Sequence, residues 1–197
     1  PRVYIIILNY KNWLDTIDCL ETVLRSLYDN FTVIIIDNHS QNNSIEHLVD
    51  WANDDSVFNN RVTPFVKEKI QKPIRHDYFS EKDFHGDIKV GDLSRLVFIQ
   101  NNSNRGFAGG MNTILNHLLK EDAYIWLLNP DMVVEETTLS ELVECADKNP
   151  FRTITGSTIK YYTDPAKVHL YAGGKINFNS GTIKLITNKN DLIQMDY

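Results

Sequence analysis

The first half of the chain alternates short apolar runs with segments in which apolar residues recur every three or four positions. The runs at 3–8 and 31–36 are rich in β-branched residues, as strands buried on both faces of a parallel sheet are. The spacing of apolar residues at 14–28 and at 44–51 predicts helices. This order of elements predicts an α/β fold with a mostly parallel central sheet covered by helices.

The same alternation returns after residue 94. The pattern predicts strands at Leu96–Gln100 and Ala123–Leu128, and helices at 109–120 and 136–147. Shorter strands separated by glycine-containing turns are predicted at 153–161, 168–172, 175–178 and 182–187. We therefore expect one αβα sandwich domain over residues 1–197, with a small β-rich C-terminal extension.

Residues 53–94 interrupt the pattern. The segment is polar, mixed in charge and without a sustained period, which indicates a polar surface insertion. A loop that covers a substrate is the alternative interpretation. His76, His85 and Asp87 fall within it, but their irregular spacing does not favour a metal site.

Composition narrows the range of partners. The net charge is −6, from 20 basic and 26 acidic residues, so no basic surface indicates nucleic acid as a partner. An anionic ligand would need backbone N–H groups or a bound cation.

Cys19 and Cys145 form neither a metal cluster nor a disulfide framework, which favours a reducing compartment. Apolar runs of membrane-spanning length are absent, and we expect a cytoplasmic protein, with peripheral attachment to the inner face of the plasma membrane left open.

Polar residues directly follow four of the predicted strands. These groups are Asn9–Asn12, Asp37–Ser40, Asn101–Gly110 and Asn129-Pro130-Asp131. Each of them alone is typical of a cap or a turn. Because the carboxyl ends of parallel strands meet at one edge of a sheet, four such groups together favour a ligand site there.

The loop Asn104–Gly110 is rich in glycine and opens a predicted helix, as loops that bind phosphate do. It contains neither the dinucleotide-binding GxGxxG pattern nor the lysine of a P-loop. Arg105 is placed to pair with a phosphate group, with a solvated loop position as the alternative. Asn112 lies about one turn further along the helix.

Two carboxylates at strand ends have alternative interpretations. Asp37 can accept hydrogen bonds from a ribose hydroxyl or a base N–H, or it can cap the helix that follows. Asp131 can hold Mg²⁺ or Mn²⁺ against a diphosphate. The sequence Asn129-Pro130-Asp131 is also typical of a simple turn that leads into a helix.

Together these strings resemble the family-2 inverting glycosyltransferases, in particular their rhamnosyltransferase-like branch. The matching strings are 6–12, 33–40, 104–112 and 127–131, with a weaker match at Gly173-Gly174. The resemblance implies a GT-A fold that binds a nucleoside diphosphate sugar, with dTDP-rhamnose or a UDP-sugar favoured. It also implies transfer to a glycan or lipid-linked acceptor, in the synthesis of bacterial cell-envelope polysaccharide.

The resemblance also implies roles for the residues at the strand ends. Asn9 and Tyr10 would line the base pocket, and Asp37 with Asn38 would contact the base or the ribose. The loop that follows the third matching strand would border the nucleotide and the sugar, through Asn104, Arg105, Gly106, Gly109 and Asn112. The string at 129–131 occupies the position of the family's DXD motif; Asn129 replaces its first aspartate, and Asp131 would keep the metal–diphosphate role.

Inverting transfer needs a general base that deprotonates the acceptor hydroxyl. The resemblance places this base in a Glu-Asp segment beyond Tyr197, so the catalytic residue is unknown and we expect the chain to be the donor-binding part of an enzyme. Two other functions stay open. One is a sugar nucleotidyltransferase, and the other is a non-catalytic module that binds a nucleotide or a glycan.

Overall fold

The structure is a computed structural model that describes residues 1–54, 70–84, 89–148, 154–171 and 173–188. It divides into two compact units, Pro1–Thr137 and Thr138–Tyr197. The first unit contains the sheet and all the strand ends that the sequence analysis singled out.

The first unit is built around a five-stranded sheet in which every neighbouring pair of strands is parallel. Its strands are β1 (Arg2–Asn9), β2 (Phe31–Asp37), β3 (His76–Ser80), β4 (Leu96–Gln100) and β5 (Ala123–Leu128), in the order β3-β4-β2-β1-β5. Its helices are α1 (Trp13–Val23), α2 (Ser44–Asn53), α3 (Glu81–Phe84) and α4 (Gly106–Leu118). The predicted α/β fold with a mostly parallel sheet is confirmed.

The two faces of the sheet carry alternate residues of each strand, because successive side chains of a strand point in opposite directions. Ile6 and Leu8 of β1 pack in one buried cluster with Met111 and Ile114 of α4. Ile5 and Ile7, which alternate with them along β1 and point to the other face, are equally buried. Both faces are therefore covered, which is why β1 and β2 are apolar at almost every position.

Helix α1 is shorter than the pattern predicts. It ends at Val23, and the backbone then tightens, since Arg25 N–H donates to Thr22 O and Ser26 N–H donates to Val23 O. Leu27, predicted to face the core, is 63% exposed. The extension of this helix to residue 28 was therefore wrong.

The segment at 53–94 contributes to the sheet and to the core. Strand β3 pairs in parallel with β4 and forms one edge of the sheet. Phe84 and Val90 are buried in the same cluster as α4, and the Phe84 ring lies 5.0 Å from that of His117. The sequence analysis found no strand here because the residues of β3 are mostly polar and half-buried, as suits an edge strand.

A buried carboxylate fastens the chain where it returns towards β3. Glu21 of α1 accepts hydrogen bonds from Trp51 Nε1 at 2.9 Å, from the backbone N–H of Ile70 at 3.1 Å and from Lys72 Nζ at 3.2 Å. The Lys72 ammonium also lies 3.5 Å from the centre of the Trp51 ring. These contacts tie α1 and α2 to the segment that leads into β3.

The second unit contains helix α5 (Thr138–Asp147) and two antiparallel strand pairs. The first pair is β6 (Thr158–Lys160) with β7 (Val168–Tyr171), and the second is β8 (Gly174–Asn177) with β9 (Thr182–Leu185). The predicted β-rich C-terminal extension is confirmed, whereas residues 189–197 lie outside the described part. Within the described ranges, the structure contains no helix that is long and apolar enough to cross a membrane.

We expect Phe98→Ala to lower the free energy of unfolding by about 3–5 kcal/mol, because the substitution leaves a cavity in a close-packed core. Phe98 lies at the centre of β4, is fully buried and packs edge-on against His76 with ring centres 5.4 Å apart. Denaturant unfolding measures the change. Leu119→Ala is the control, since Leu119 is 74% exposed and its loss should cost less than about 0.5 kcal/mol. Equal effects of the two substitutions would contradict this account of the core.

Candidate functional site

The last residues of three neighbouring strands form one row across the sheet. Asn9 is in register with Asp37, and Asp37 is in register with Gln100. Residues in register on parallel strands share a face of the sheet, so these three polar side chains lie side by side. They end the apolar rows of β1, β2 and β4 at the carboxyl edge of the sheet, where ligands of such folds bind.

Asp37 is the centre of this row and is fully buried. Its Oδ1 accepts a hydrogen bond from Asn9 Nδ2 at 2.6 Å, while Oδ2 accepts from Ser40 N at 2.8 Å and Gln100 Nε2 at 2.9 Å. Thr16 of α1 lies behind the row and donates to Asn9 Oδ1 at 3.1 Å. Because a buried charge is costly without such donors, each of these contacts compensates for the lost hydration of the carboxylate.

A second network lies on the opposite face of the sheet, below α4. Asn38 Nδ2 donates to Asn104 Oδ1 at 3.0 Å and to Gly106 O at 3.1 Å. Asn101 Nδ2 donates to Asn38 Oδ1 at 3.4 Å, and Asn101 Oδ1 accepts from Thr113 Oγ1 of α4 at 3.1 Å. These bonds join the ends of β2 and β4 to the loop that precedes α4.

The loops at this edge contain residues in strained backbone conformations. Lys11 and His39, which follow β1 and β2, have positive φ angles of 59° and 63°. Such conformations are uncommon for residues with a side chain and cluster at functional sites. Ser40 joins the two loops, because its Oγ accepts a hydrogen bond from Lys11 N at 2.7 Å.

Two glycines set the position of α4 against the strands. Gly106 begins the helix with a φ of +67°, a conformation that favours glycine. A Cβ at Gly110 would lie 2.6 Å from Leu8 Cδ1 and 3.3 Å from Asn38 Cγ, so either the Leu8 side chain or the helix would have to move to admit a side chain there. Gly109 lies beside it in the first turn. The small residues therefore bring the N-terminus of α4, with its backbone N–H groups, to the strand ends.

Tyr10 and Arg105 lie at the border of the two networks. Tyr10 is 44% exposed, and hydrogen bonds with the side chains of Asn104 and Lys11 lower the pKa of its phenol. Arg105 forms an ion pair with Glu81 of α3. Both contacts connect the loop before α4 to neighbouring segments.

Two side chains of α1 hold the backbone of the turn after β5. Cys19 Sγ donates a hydrogen bond to Asn129 O at 3.7 Å, and Thr22 Oγ1 accepts one from Val134 N at 3.1 Å. Burial, together with the nearby Asp131 carboxylate, raises the pKa of the Cys19 thiol to about 12, so it stays protonated as a donor. The side chains of Asn129 and Asp131 are exposed above this anchored backbone.

The structure brings most of the predicted site residues to this edge of the sheet. Asn9, Asp37, Asn38 and Asn104 interact directly or through shared partners, and Tyr10, Arg105, Gly106 and Gly109 border them. Asn112 is exposed on α4, and none of the hydrogen bonds described for residues 89–148 joins it to either network. Asn129 and Asp131 lie on the separate turn after β5.

Four residues of these networks were not predicted from the sequence. They are Thr16, Glu81, Gln100 and Thr113. The signal for Gln100 was available, because it is the first polar residue after the apolar run of β4, as Asp37 is after β2.

Within the described ranges, the structure has no group of three His, Cys, Asp or Glu side chains that could hold a metal ion. His85 and Asp87 lie outside those ranges, and His76 Nδ1 lies 2.8 Å from Ile74 O. A metal held by one carboxylate together with ligand phosphates remains compatible with the exposed side chain of Asp131.

The parallel sheet covered by helices on both faces is a fold that known proteins share. The structure of a mannosyltransferase from Pyrobaculum calidifontis in complex with GDP-Man and Mn²⁺ has a TM-score of 0.53 to this chain at 18% identity. The alignment covers 84% of this chain and 37% of that one, so this chain spans little more than a third of its length. The likeness confirms a GT-A type of fold.

A weaker likeness is found to TarS of S. aureus in complex with UDP-GlcNAc, with a TM-score of 0.49 at 11% identity. It covers 81% of this chain and 40% of that one. A comparison with curated protein sequences gives no match.

The sequence pattern of glycosyl transferase family 2 matches residues 86–194, which is more than half of the chain. The chain belongs to that family.

We expect Asp37→Asn to lower the free energy of unfolding by about 1–3 kcal/mol, because an amide N–H₂ would then face buried donors. Asn9, Ser40 and Gln100 all donate to this carboxylate, so either orientation of the new amide opposes a donor. Denaturant unfolding measures the loss. The exposed Asp122→Asn serves as the matched control and should change stability by less than about 0.5 kcal/mol. Unchanged stability of Asp37→Asn would contradict the role of Asp37 as the centre of the row.

Proposed function

We propose that this chain binds a nucleoside diphosphate sugar at the carboxyl edge of its sheet, as the donor site of a glycosyltransferase. The observation that supports this most strongly is the pair of hydrogen-bonded networks that join the ends of β1, β2 and β4 to the loop before α4. Such networks hold polar groups in fixed positions before a ligand arrives, which reduces the cost of binding.

The two networks suit different parts of such a ligand. The exposed phenol of Tyr10 and the loop after β2 provide an aromatic face and hydrogen-bonding groups for a base and a ribose. Asp37 has all its donors from the protein, so we propose that it acts on the ligand mainly by fixing Asn9 and the loop at Ser40. The diphosphate would lie at the N-terminus of α4, beside Asn104, Arg105, Gly106 and Gly109.

We propose that a divalent metal, Mg²⁺ or Mn²⁺, accompanies the diphosphate and is held by Asp131. When bound, the metal would neutralise the charge of the departing diphosphate. An exposed carboxylate on an anchored turn fits a metal that keeps several waters and takes its remaining ligands from phosphates. Asn129 provides a neutral amide beside it and adds no charge.

The finer features of the enzyme are also proposals. The resemblance of the strand-end strings favours inverting transfer from dTDP-rhamnose or a UDP-sugar to a glycan or lipid-linked acceptor. GDP-sugars are a further class of donor to test, because the mannosyltransferase of similar fold was determined in complex with GDP-Man. We also propose a cytoplasmic site of action in the synthesis of cell-envelope polysaccharide, at or near the inner face of the membrane.

We expect calorimetric titration with UDP, dTDP and GDP to reveal binding of one of these nucleotides, and Mn²⁺ to tighten it. Because protein carboxylate and phosphates share the metal, binding of metal and nucleotide should strengthen each other by the same factor. A titration of each nucleotide with and without Mn²⁺ measures both effects. Failure of all three nucleotides to bind in the presence of Mn²⁺ would contradict the proposed function.

We expect Asp131→Ala to abolish the effect of Mn²⁺ on nucleotide binding and to change stability by less than about 0.5 kcal/mol, since the side chain is exposed. The measurement is the same titration, combined with thermal unfolding. Asp122→Ala, which removes an exposed carboxylate before β5, is the matched control and should keep the full effect of the metal. If Asp131→Ala unfolds the protein, Asp131 is instead a structural part of the turn.

A further inference from the structure

Glu81, the first residue of α3, has a buried carboxylate with two different partners. It is 2% exposed, its Oε1 forms the ion pair with the Arg105 guanidinium, and its Oε2 accepts a hydrogen bond from the backbone N–H of Asn102 at 2.8 Å. Both partners belong to the connection between β4 and α4. A single carboxylate therefore fastens two points of the loop that we propose to border the diphosphate.

The same loop is also held by Asn38, the residue that follows β2. Asn38 Oδ1 accepts a hydrogen bond from Arg105 N at 3.2 Å. The backbone of Arg105 is thus fixed by Asn38, while its side chain is fixed by Glu81. A long side chain that is held at both ends has lost most of its rotamer freedom before any ligand binds.

The ion pair leaves Arg105 with capacity for a second partner. A guanidinium has five N–H donors in a planar fork, and the contact with Glu81 is made through Nη2. The Arg105 side chain is 43% exposed, whereas that of Glu81 is 3% exposed. The guanidinium therefore remains accessible at the N-terminus of α4, where backbone N–H groups already favour an anion.

We propose that Glu81 is a positioning residue that orients the Arg105 guanidinium for the diphosphate of the nucleotide sugar. This inference rests on the proposed function. The carboxylate also reduces the local positive potential, so its effect on an anion has two opposite contributions. Orientation is the larger one, because the Glu81 carboxylate is buried and already paired, and Arg105 supplies directional donors that only a fixed fork can align.

The test compares Glu81→Gln, Arg105→Gln and the double variant with the unaltered protein. Glutamine keeps the size of the side chain and an oxygen for the N–H of Asn102, but it removes the charge that binds Arg105. Titrations use whichever of UDP, dTDP and GDP the unaltered protein binds, and the matching nucleoside in competition with it. Glu46→Gln, at an exposed glutamate of α2, is the matched control.

We expect each single variant to weaken diphosphate binding about tenfold and to leave nucleoside binding unchanged. The double variant should be no weaker than Arg105→Gln alone, since Glu81 acts through Arg105. Circular dichroism checks the fold of each variant. If Glu81→Gln does not fold, Glu81→Asp takes its place, because it keeps the charge but withdraws it from Arg105, and the same selective loss is expected.

Several outcomes would overturn the inference. They are equal weakening of nucleoside and diphosphate binding, additive losses in the double variant, unchanged binding by Glu81→Gln, and tighter diphosphate binding by that variant. If the unaltered protein binds none of the nucleoside diphosphates, the proposed function itself fails and this inference fails with it. The two failures are therefore distinguishable.

Discussion

A carboxylate that is removed from water must be surrounded by donors, and this requirement at Asp37 organises the carboxyl edge of the sheet. The donors come from the end of β1, the end of β4 and the loop after β2. Asn9 in turn is oriented by Thr16 of α1. One buried charge thus determines the side chains at the ends of three strands and the start of a helix.

The alternation of side chains along the strands divides the site into two layers. Residues in register with Asp37 form the layer towards Thr16 of α1, and the residues that follow them, such as Asn38 and Asn101, form the layer below α4. The layers differ in chemistry, since the first contains a buried carboxylate and the second contains neutral amides and the N-terminus of a helix. The nucleoside and the diphosphate of such a ligand likewise differ in the groups that they need from a protein.

The fold was predictable from the sequence where burial on both faces makes a strand apolar throughout, as in β1 and β2. Strand β3 was not, because an edge strand with polar, half-buried residues has no distinct pattern. Asp37 and Asn38 were identified from their position after an apolar run. Glu81 was not, since its contact with Asn102 spans 21 residues and depends on how α3 packs, which no local pattern contains.

Three residues of α1 at three-residue spacing, Thr16, Cys19 and Thr22, join its buried side to both ends of the site. The first holds Asn9, and the other two, about 5 and 9 Å further along the helix axis, hold the backbone of the turn that contains Asp131. The helix acts as a rigid spacer between the position proposed for the base and the position proposed for the metal. A displacement of α1 would therefore shift Asn9 and the turn that contains Asp131 together.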